Sequence, residues 1–226
     1  MTRSLRLILF DVDGTLVDSQ ASIVAAMTAT FAAARLPVPA RTRLLSIVGL
    51  SLDHAMRQLA PDAPSHGDLV EGYKAAYHAQ RLQDGSGKGS PLYPGALDAL
   101  RQLAAVPDIL LGVATGKSQR GLDALLSAHG LERTFFTRQV ADHHPSKLHP
   151  SMIETAMAEA WVGRGATVMI GDTSFDMDMA QAAGVAGIGV SWGYHDRAAL
   201  QNAATVIDRF EALPAALDQI WKMTPA

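Results

Sequence analysis

Short apolar runs alternate along this chain with stretches in which apolar residues recur every three or four positions. The runs are nearly free of charge, which is typical of strands buried on both faces of a sheet; they are Leu5–Phe10, Ile109–Ala114, Thr167–Ile170 and Val185–Val190. The periodic stretches predict helices over Ala96–Ala104, Gln119–His129, Ser151–Ala160 and Asp176–Ala183. This alternation predicts an α/β fold built on a Rossmann-like parallel sheet.

The stretch between the first two predicted strands has helical patterns only. The predicted helices are Ala21–Ala34, Leu50–Leu59 and Leu69–Leu82. We therefore expect an α/β core domain formed by residues 1–16 and 92–226, with residues 17–91 inserted as a helical cap domain. Residues 83–91 are rich in Gly and Ser, which predicts a flexible linker at the end of the cap.

Polar residues stand just after three of the predicted strands. Asp11 and Thr115 follow the first and second runs, and Asp172 follows the third after one glycine. The carboxyl ends of parallel strands share one edge of a sheet, and ligands bind beyond that edge. We therefore expect these three side chains to lie together in one site.

The first of these residues opens the segment Asp11-Val-Asp-Gly-Thr-Leu-Val-Asp-Ser19. Two acids at positions i and i+2 can both face a site if the chain turns after the strand, and Gly14 allows such a turn. An ordinary Asp-Gly turn without chemistry is the alternative. Three later segments argue against this alternative, because with the first segment they follow the order of a known set of motifs. They are Val113–Lys117 with Thr115, Pro145–Pro150 with Lys147, and Gly171–Asp176.

Together these four segments resemble the motifs of the haloacid dehalogenase superfamily in its phosphatase form. Leu92–Gly95 resembles the return of the chain from the helical cap of that family, so the resemblance covers nearly the whole chain. The third motif departs from the usual Lys-Pro-x-Pro order, since Leu148 follows Lys147. We expect a less rigid loop there, with the lysine retained.

The resemblance implies a set of catalytic residues. Asp11 is the nucleophile, and Asp13 is the general acid and base. Lys147 neutralises charge on the phosphoryl group, and Thr115 holds its oxygens. A carboxylate two positions after the nucleophile is needed when an alkoxide leaves but not when a halide leaves. Asp13 therefore favours phosphate-ester chemistry over dehalogenation.

A metal ion is expected among the same acids. Two carboxylates about 4 Å apart repel by about 4 kcal/mol at an effective dielectric constant near 20, and a bound cation removes that repulsion. An all-oxygen site beside a phosphate favours Mg²⁺. The expected ligands are the side chains of Asp11, Asp172 and Asp176, and the resemblance adds the backbone carbonyl of Asp13.

These features predict a Mg²⁺-dependent phosphatase that hydrolyses a small phosphorylated metabolite through an aspartyl-phosphate. Within the family, the chain looks most similar to phosphoglycolate phosphatases, so that the substrate is phosphoglycolate-like or a sugar phosphate. Two alternatives stay open: a phosphomutase of the same fold, similar to β-phosphoglucomutase, and a non-catalytic binding module.

Substrate selection is expected in the cap. The segment Ile47–Ser51 resembles a cap loop that reaches into the site. Lys74 and Arg81 could hold a substrate carboxylate or a second phosphate, although a solvated helix face is the favoured interpretation. The other expected substrate contacts are Gly14, Thr15, Gly49, Gly116 and Lys117.

Composition limits the partners. The formal net charge is −3 and there is no run of Lys or Arg, which argues against nucleic acid and an anionic membrane as partners. No apolar segment is as long as a transmembrane helix, and the absence of cysteine excludes thiolate metal sites. His143, His144 and His149 are interpreted as a solvated loop instead of a zinc site. We expect a cytoplasmic monomer or homodimer.

Overall fold

A computed structural model describes residues 5–84 and 90–223. Within these ranges six strands form one parallel sheet: β1 Arg6–Phe10, β2 Ile109–Thr115, β3 Thr137–Val140, β4 Thr167–Gly171, β5 Ala186–Val190 and β6 Thr205–Ile207. Their order across the sheet is β3-β2-β1-β4-β5-β6, and every neighbouring pair is parallel. The predicted Rossmann-like parallel sheet is confirmed.

The four predicted strands are the four inner strands of this sheet, and their observed ends differ from the predicted ones by one residue. The strands β3 and β6 were not predicted. They are the two edges of the sheet, where a strand has only one neighbour and need not be a continuous apolar run. β3 contains Arg138 and Gln139, and β6 is three residues long.

Helices cover both faces of the sheet. They are α5 Ala96–Ala104, α6 Gln119–His129, α7 Ser151–Ala160, α8 Ser174–Ala183 and α9 Leu213–Met223, with short 3₁₀ turns at Arg164–Ala166, Arg197–Ala199 and Phe210–Ala212. Successive side chains of β1 point to opposite faces. Ile8 and Phe10 pack into a cluster with α5, α6 and α9, whereas Leu7 and Leu9 pack with α7 and α8.

A group of helices between β1 and α5 has an apolar cluster of its own. The helices are α1 Gln20–Ala33, α2 Arg41–Leu45, α3 Leu52–Leu59 and α4 His66–Asp84. The cluster contains Met27 and Phe31 of α1, Met56 of α3 and Leu69 of α4. We call this group the cap; its expected boundaries at residues 17 and 91 stay a prediction.

The chain enters and leaves the cap through neighbouring segments. The Asp18 N–H donates to the Pro91 carbonyl at 2.8 Å, and the Tyr93 N–H donates to the Leu16 carbonyl at 2.9 Å. α4 continues through Asp84, so that the first two residues of the predicted linker are helical; residues 85–89 lie outside the described residues. No helix in the described part of the chain is both long and apolar enough to cross a membrane.

Candidate active site

Three buried carboxylates meet at the carboxyl edge of the sheet. Asp11 follows β1, Asp172 follows β4, and Asp176 lies in the first turn of α8. One oxygen from each lies within 4.8 Å of an oxygen of the others. The side chains are at most 1% exposed. Asp11 and Asp172, which follow the neighbouring strands β1 and β4, therefore lie together with Asp176.

Lys147 is buried among these acids. Its Nζ lies 2.7 Å from Asp11 Oδ1 and 2.7 Å from Asp176 Oδ1. Burial alone would lower the pKa of this lysine, but the two carboxylates hold it above its usual value. Leu148, where the sequence departs from the family pattern, adopts a positive φ of 90°, which is rare for a non-glycine residue.

Asp172 is held by hydrogen bonds on both carboxylate oxygens. The Thr15 hydroxyl donates to Oδ1 at 2.9 Å, and the Tyr194 N–H donates to Oδ2 at 2.8 Å. Gly14 has a φ of 84°, and a Cβ at Gly14 or Gly193 would overlap the Asp172 side chain. The sequence-predicted Gly14 and Thr15 therefore position a carboxylate in this structure.

Asp176 is held by the start of α8. The Thr173 hydroxyl donates to Asp176 Oδ2 at 2.6 Å, and the Thr173 N–H donates to the same atom at 3.1 Å. The Thr173 oxygen also accepts from the Asp176 N–H, which completes a capping box. This leaves Asp176 Oδ1 for Lys147 and the shared carboxylate cluster.

The charge balance of the cluster fits a cation. Burial raises the pKa of Asp11 to about 7 although Lys147 lowers it, and Asp176 raises it further. Burial, with Asp11 and Asp176 nearby, raises the pKa of Asp172 well above its usual value. Asp11 Oδ2 is buried and receives no hydrogen bond from the described residues. A set of carboxylate oxygens with one unsatisfied oxygen suits a hard divalent cation.

Asp13 faces a different set of partners. Both of its carboxylate oxygens lie 2.8 Å from Lys117 Nζ. The Ser19 hydroxyl also donates to Oδ1, and the Ser19 oxygen lies 2.8 Å from the Tyr194 hydroxyl. Lys117 in turn lies 5.3 Å from the centre of the Tyr77 ring of the cap. Lys117 was expected to contact substrate, and here it binds Asp13.

The loop after β2 completes the core side of the site. Thr115 is buried, and its hydroxyl oxygen accepts a hydrogen bond from the Lys117 N–H at 3.3 Å. Gly116 lies against the cap, because a Cβ there would be 2.6 Å from the Gly49 carbonyl oxygen. Gly49 has a φ of 106°. The Ser51 N–H donates to the Ser146 hydroxyl at 2.9 Å. This cap loop therefore contacts the core at both Gly116 and Ser146.

A cavity of about 420 Å³ separates the cap from these core residues. We call Asp11, Asp13 and Thr115 the cavity floor. The cap wall is formed by apolar and aromatic residues of α1 and α4: Ile23, Met27, Val70, Tyr73 and Tyr77. Lys74 and Arg81 line the cavity as well, but Lys74 is exposed and forms an ion pair with Glu71 at 2.7 Å.

Several residues of the site were missed by sequence reasoning. The spacing of Thr173 and Asp176 matches a capping box and could have been recognised. Ser19 stands inside the first motif, but no role was assigned to it. Tyr194 lies in an irregular loop after β5, and no local pattern marks it.

The histidines near Lys147 do not form a metal site in the described residues. His143 and His149 are exposed, as predicted for a solvated loop. His144 differs, since it is half-buried and its ring nitrogens lie 2.7 Å from the Ser151 hydroxyl and 2.8 Å from Gln139 Oε1.

Comparison with known proteins identifies relatives of this chain. The model of the family described as "Haloacid dehalogenase-like hydrolase" matches residues 8–190. The chain is 33% identical to "Probable phosphatase IndB" of Dickeya dadantii, over 96% of each chain. It is 28% identical to "Phosphoglycolate phosphatase" of Mesorhizobium japonicum, over 93% of this chain and 94% of the relative.

Solved structures share the fold. A predicted phosphatase from Clostridium acetobutylicum superposes with a TM-score of 0.82, covering 98% of this chain and 100% of the other, at 22% identity. At that identity the likeness establishes the fold alone.

Proposed function

Since the chain belongs to the haloacid dehalogenase-like hydrolase family and is a phosphoric monoester hydrolase, we propose that it uses magnesium and an aspartyl-phosphate at Asp11. The substrate is a small phosphorylated metabolite. The cytoplasmic location and the monomeric or homodimeric state expected from the sequence stay predictions.

Asp11 supplies the nucleophile. One carboxylate oxygen attacks phosphorus and forms the aspartyl-phosphate while the bond from phosphorus to the alcohol oxygen breaks. Lys147 lies 2.7 Å from Asp11 Oδ1 and neutralises charge on the attacking carboxylate and the arriving phosphate. Asp11, Asp172, Asp176 and the Asp13 carbonyl would hold the magnesium, which when bound would favour the ionised carboxylates and polarise the phosphoryl oxygens.

Asp13 transfers the protons. It protonates the leaving alcohol oxygen and later takes a proton from the water that attacks the aspartyl-phosphate. Lys117 Nζ lies 2.8 Å from both Asp13 carboxylate oxygens and holds this carboxylate on the cavity floor.

The loop after β2 holds the phosphoryl oxygens. Because Thr115 Oγ1 accepts the Lys117 N–H, its own hydroxyl proton is available to donate to a phosphoryl oxygen. Charge-assisted hydrogen bonds of this kind are about twice as strong as neutral ones. Thr115 therefore orients the phosphate for attack by Asp11.

One observation carries this proposal: three buried carboxylates and one buried lysine surround a single point beside Asp13. A binding module has no need of an unpaired nucleophile oxygen next to a second carboxylate that can transfer protons. No described residue favours a phosphomutase over a phosphatase, so hydrolysis by water is the function proposed.

The test is release of inorganic phosphate from phosphoglycolate, a hexose phosphate and p-nitrophenyl phosphate. We expect release with magnesium, a loss of more than about a hundredfold after EDTA, and recovery when magnesium is restored. Full activity in EDTA would contradict the metal assignment. Transfer of phosphate to another sugar position without release would identify a phosphomutase.

A further inference from the structure

The cavity is larger and more apolar than a two-carbon substrate requires. Its volume of about 420 Å³ falls in the range of about 300–1,000 Å³ that is typical of sites for drug-sized ligands. The cap already contacts the core through Gly49 and Ser51. The remaining space therefore belongs to the alcohol part of the substrate as well as to its phosphate.

The cap wall offers aromatic surface for that alcohol. Tyr73 and Tyr77 lie one helical turn apart on α4, with ring centres 5.7 Å apart and planes inclined by 29°. Both rings line the cavity together with Ile23, Met27 and Val70. Aromatic rings favour offset stacking with other flat groups, and the aliphatic neighbours favour an apolar partner.

The cations near the cavity floor are already neutralised. Lys147 is shared by Asp11 and Asp176, and Lys117 lies against both oxygens of Asp13. The carboxylate of phosphoglycolate is only two covalent bonds from the ester oxygen, so it has to lie close to this floor. An acidic group there would have to compete with Asp13 for Lys117.

On the basis of the phosphatase function above, we propose that the preferred substrate is a phosphate monoester of an alcohol that carries a planar ring. The phosphate lies on the cavity floor, and the ring packs against the Tyr73 and Tyr77 side chains of the cap wall. Arg81 and Arg120 also line the cavity, and a second anionic group bound by them is the competing arrangement.

Three alkyl monoesters separate these arrangements: 2-phenylethyl phosphate, ethyl phosphate and phosphoglycolate. The alcohols of the first two are similar in acidity, so that a difference between them reports the ring. We expect kcat/KM for 2-phenylethyl phosphate to exceed that of either other ester by at least about tenfold, the scale on which apolar pockets discriminate. Equal values, or a preference for phosphoglycolate, would overturn the proposal.

Two variants of Tyr77 test whether its ring causes the preference for 2-phenylethyl phosphate. Tyr77→Leu removes the ring and should reduce kcat/KM for 2-phenylethyl phosphate at least about fivefold more than for ethyl phosphate. Tyr77→Phe keeps the ring and should keep the preference. The anionic arrangement predicts a different result: Arg81→Gln lowers kcat/KM for phosphoglycolate by a larger factor than Tyr77→Leu lowers kcat/KM for 2-phenylethyl phosphate. That result would overturn the ring proposal.

p-Nitrophenyl phosphate, as a fourth ester, distinguishes failure of the phosphatase function from failure of the substrate preference. If the wild-type protein with magnesium hydrolyses none of the four esters, the phosphatase proposal fails, and the ring preference fails with it. If it hydrolyses them without preferring the ring, only the substrate proposal fails.

Discussion

The core side and the cap side of the cavity hold their polar groups in opposite ways. On the core side, Asp172 and Asp176 are buried and receive hydrogen bonds from Thr15, Thr173 and the Tyr194 backbone N–H. On the cap side, the side chains of Lys74 and Glu71 are 51% and 73% exposed, and they contact each other. The cavity floor holds the groups that carry out the reaction, whereas the cap wall presents mainly apolar surface to the rest of the substrate.

This difference predicts that equivalent substitutions have unequal effects. Removing a charge from the floor leaves buried partners unpaired, which costs more than the loss of one contact. Removing a charge from the exposed part of the cap changes little, because exposed ion pairs contribute about 0–1 kcal/mol. The following substitutions run from the largest expected effect to the smallest.

Asp11→Asn should reduce turnover by more than about 10⁴-fold, since an amide cannot form the aspartyl-phosphate and loss of a nucleophile has effects of this order. The control is Asp53→Asn, which changes an exposed acid that lines the same cavity, and its turnover should stay within about twofold. Melting curves establish that both variants fold. Near wild-type turnover in Asp11→Asn would exclude Asp11 as the nucleophile.

Asp13→Asn should affect formation of the aspartyl-phosphate according to the leaving group. An alkyl alcohol needs a proton as it leaves, so the first step should slow by about 10²–10⁴-fold. The p-nitrophenolate ion needs little protonation, and its first step should slow much less. Single-turnover kinetics measure both, and equal losses would mean that Asp13 only orients its neighbours.

Sequence patterns could predict much of the core side of the site, because several of its residues follow the inner strands. β1, β2 and β4 are buried on both faces and read as apolar runs, and Asp11, Thr115 and Asp172 follow them. The edge strands β3 and β6 lack that pattern. The contact between Ser19 and Tyr194 joins residues 175 positions apart, and no local periodicity encodes such a pair.

Tyr194→Phe should have a smaller effect, because it removes the hydrogen bonds of the Tyr194 hydroxyl with the Ser19 hydroxyl and the Ser19 N–H but keeps the backbone N–H that holds Asp172. Asp13 is then oriented less well, and turnover of alkyl esters should fall by about two- to tenfold, the scale of a net hydrogen bond. Turnover of p-nitrophenyl phosphate should fall less, whereas an equal fall for both would indicate a general structural effect.

Lys74→Gln should have the smallest effect. Its ion pair with Glu71 is exposed, and we expect kcat/KM for each of the three alkyl esters to stay within about twofold of wild type. Glu71→Gln is the matched control for loss of the same pair. A large loss confined to phosphoglycolate in Lys74→Gln would assign this lysine to an acidic substrate and contradict the contrast between floor and cap.

The most direct measurement is the location of the phosphoryl group during turnover. Asp13→Asn should still accept phosphate from p-nitrophenyl phosphate, but it lacks the base that activates water, so the aspartyl-phosphate should accumulate. Peptide mapping by mass spectrometry after rapid acid quenching should then find one phosphoryl group on Asp11, and hydroxylamine should remove it. A phosphoryl group on any other residue, or turnover of the variant with no phosphorylated protein at any time, would contradict the mechanism.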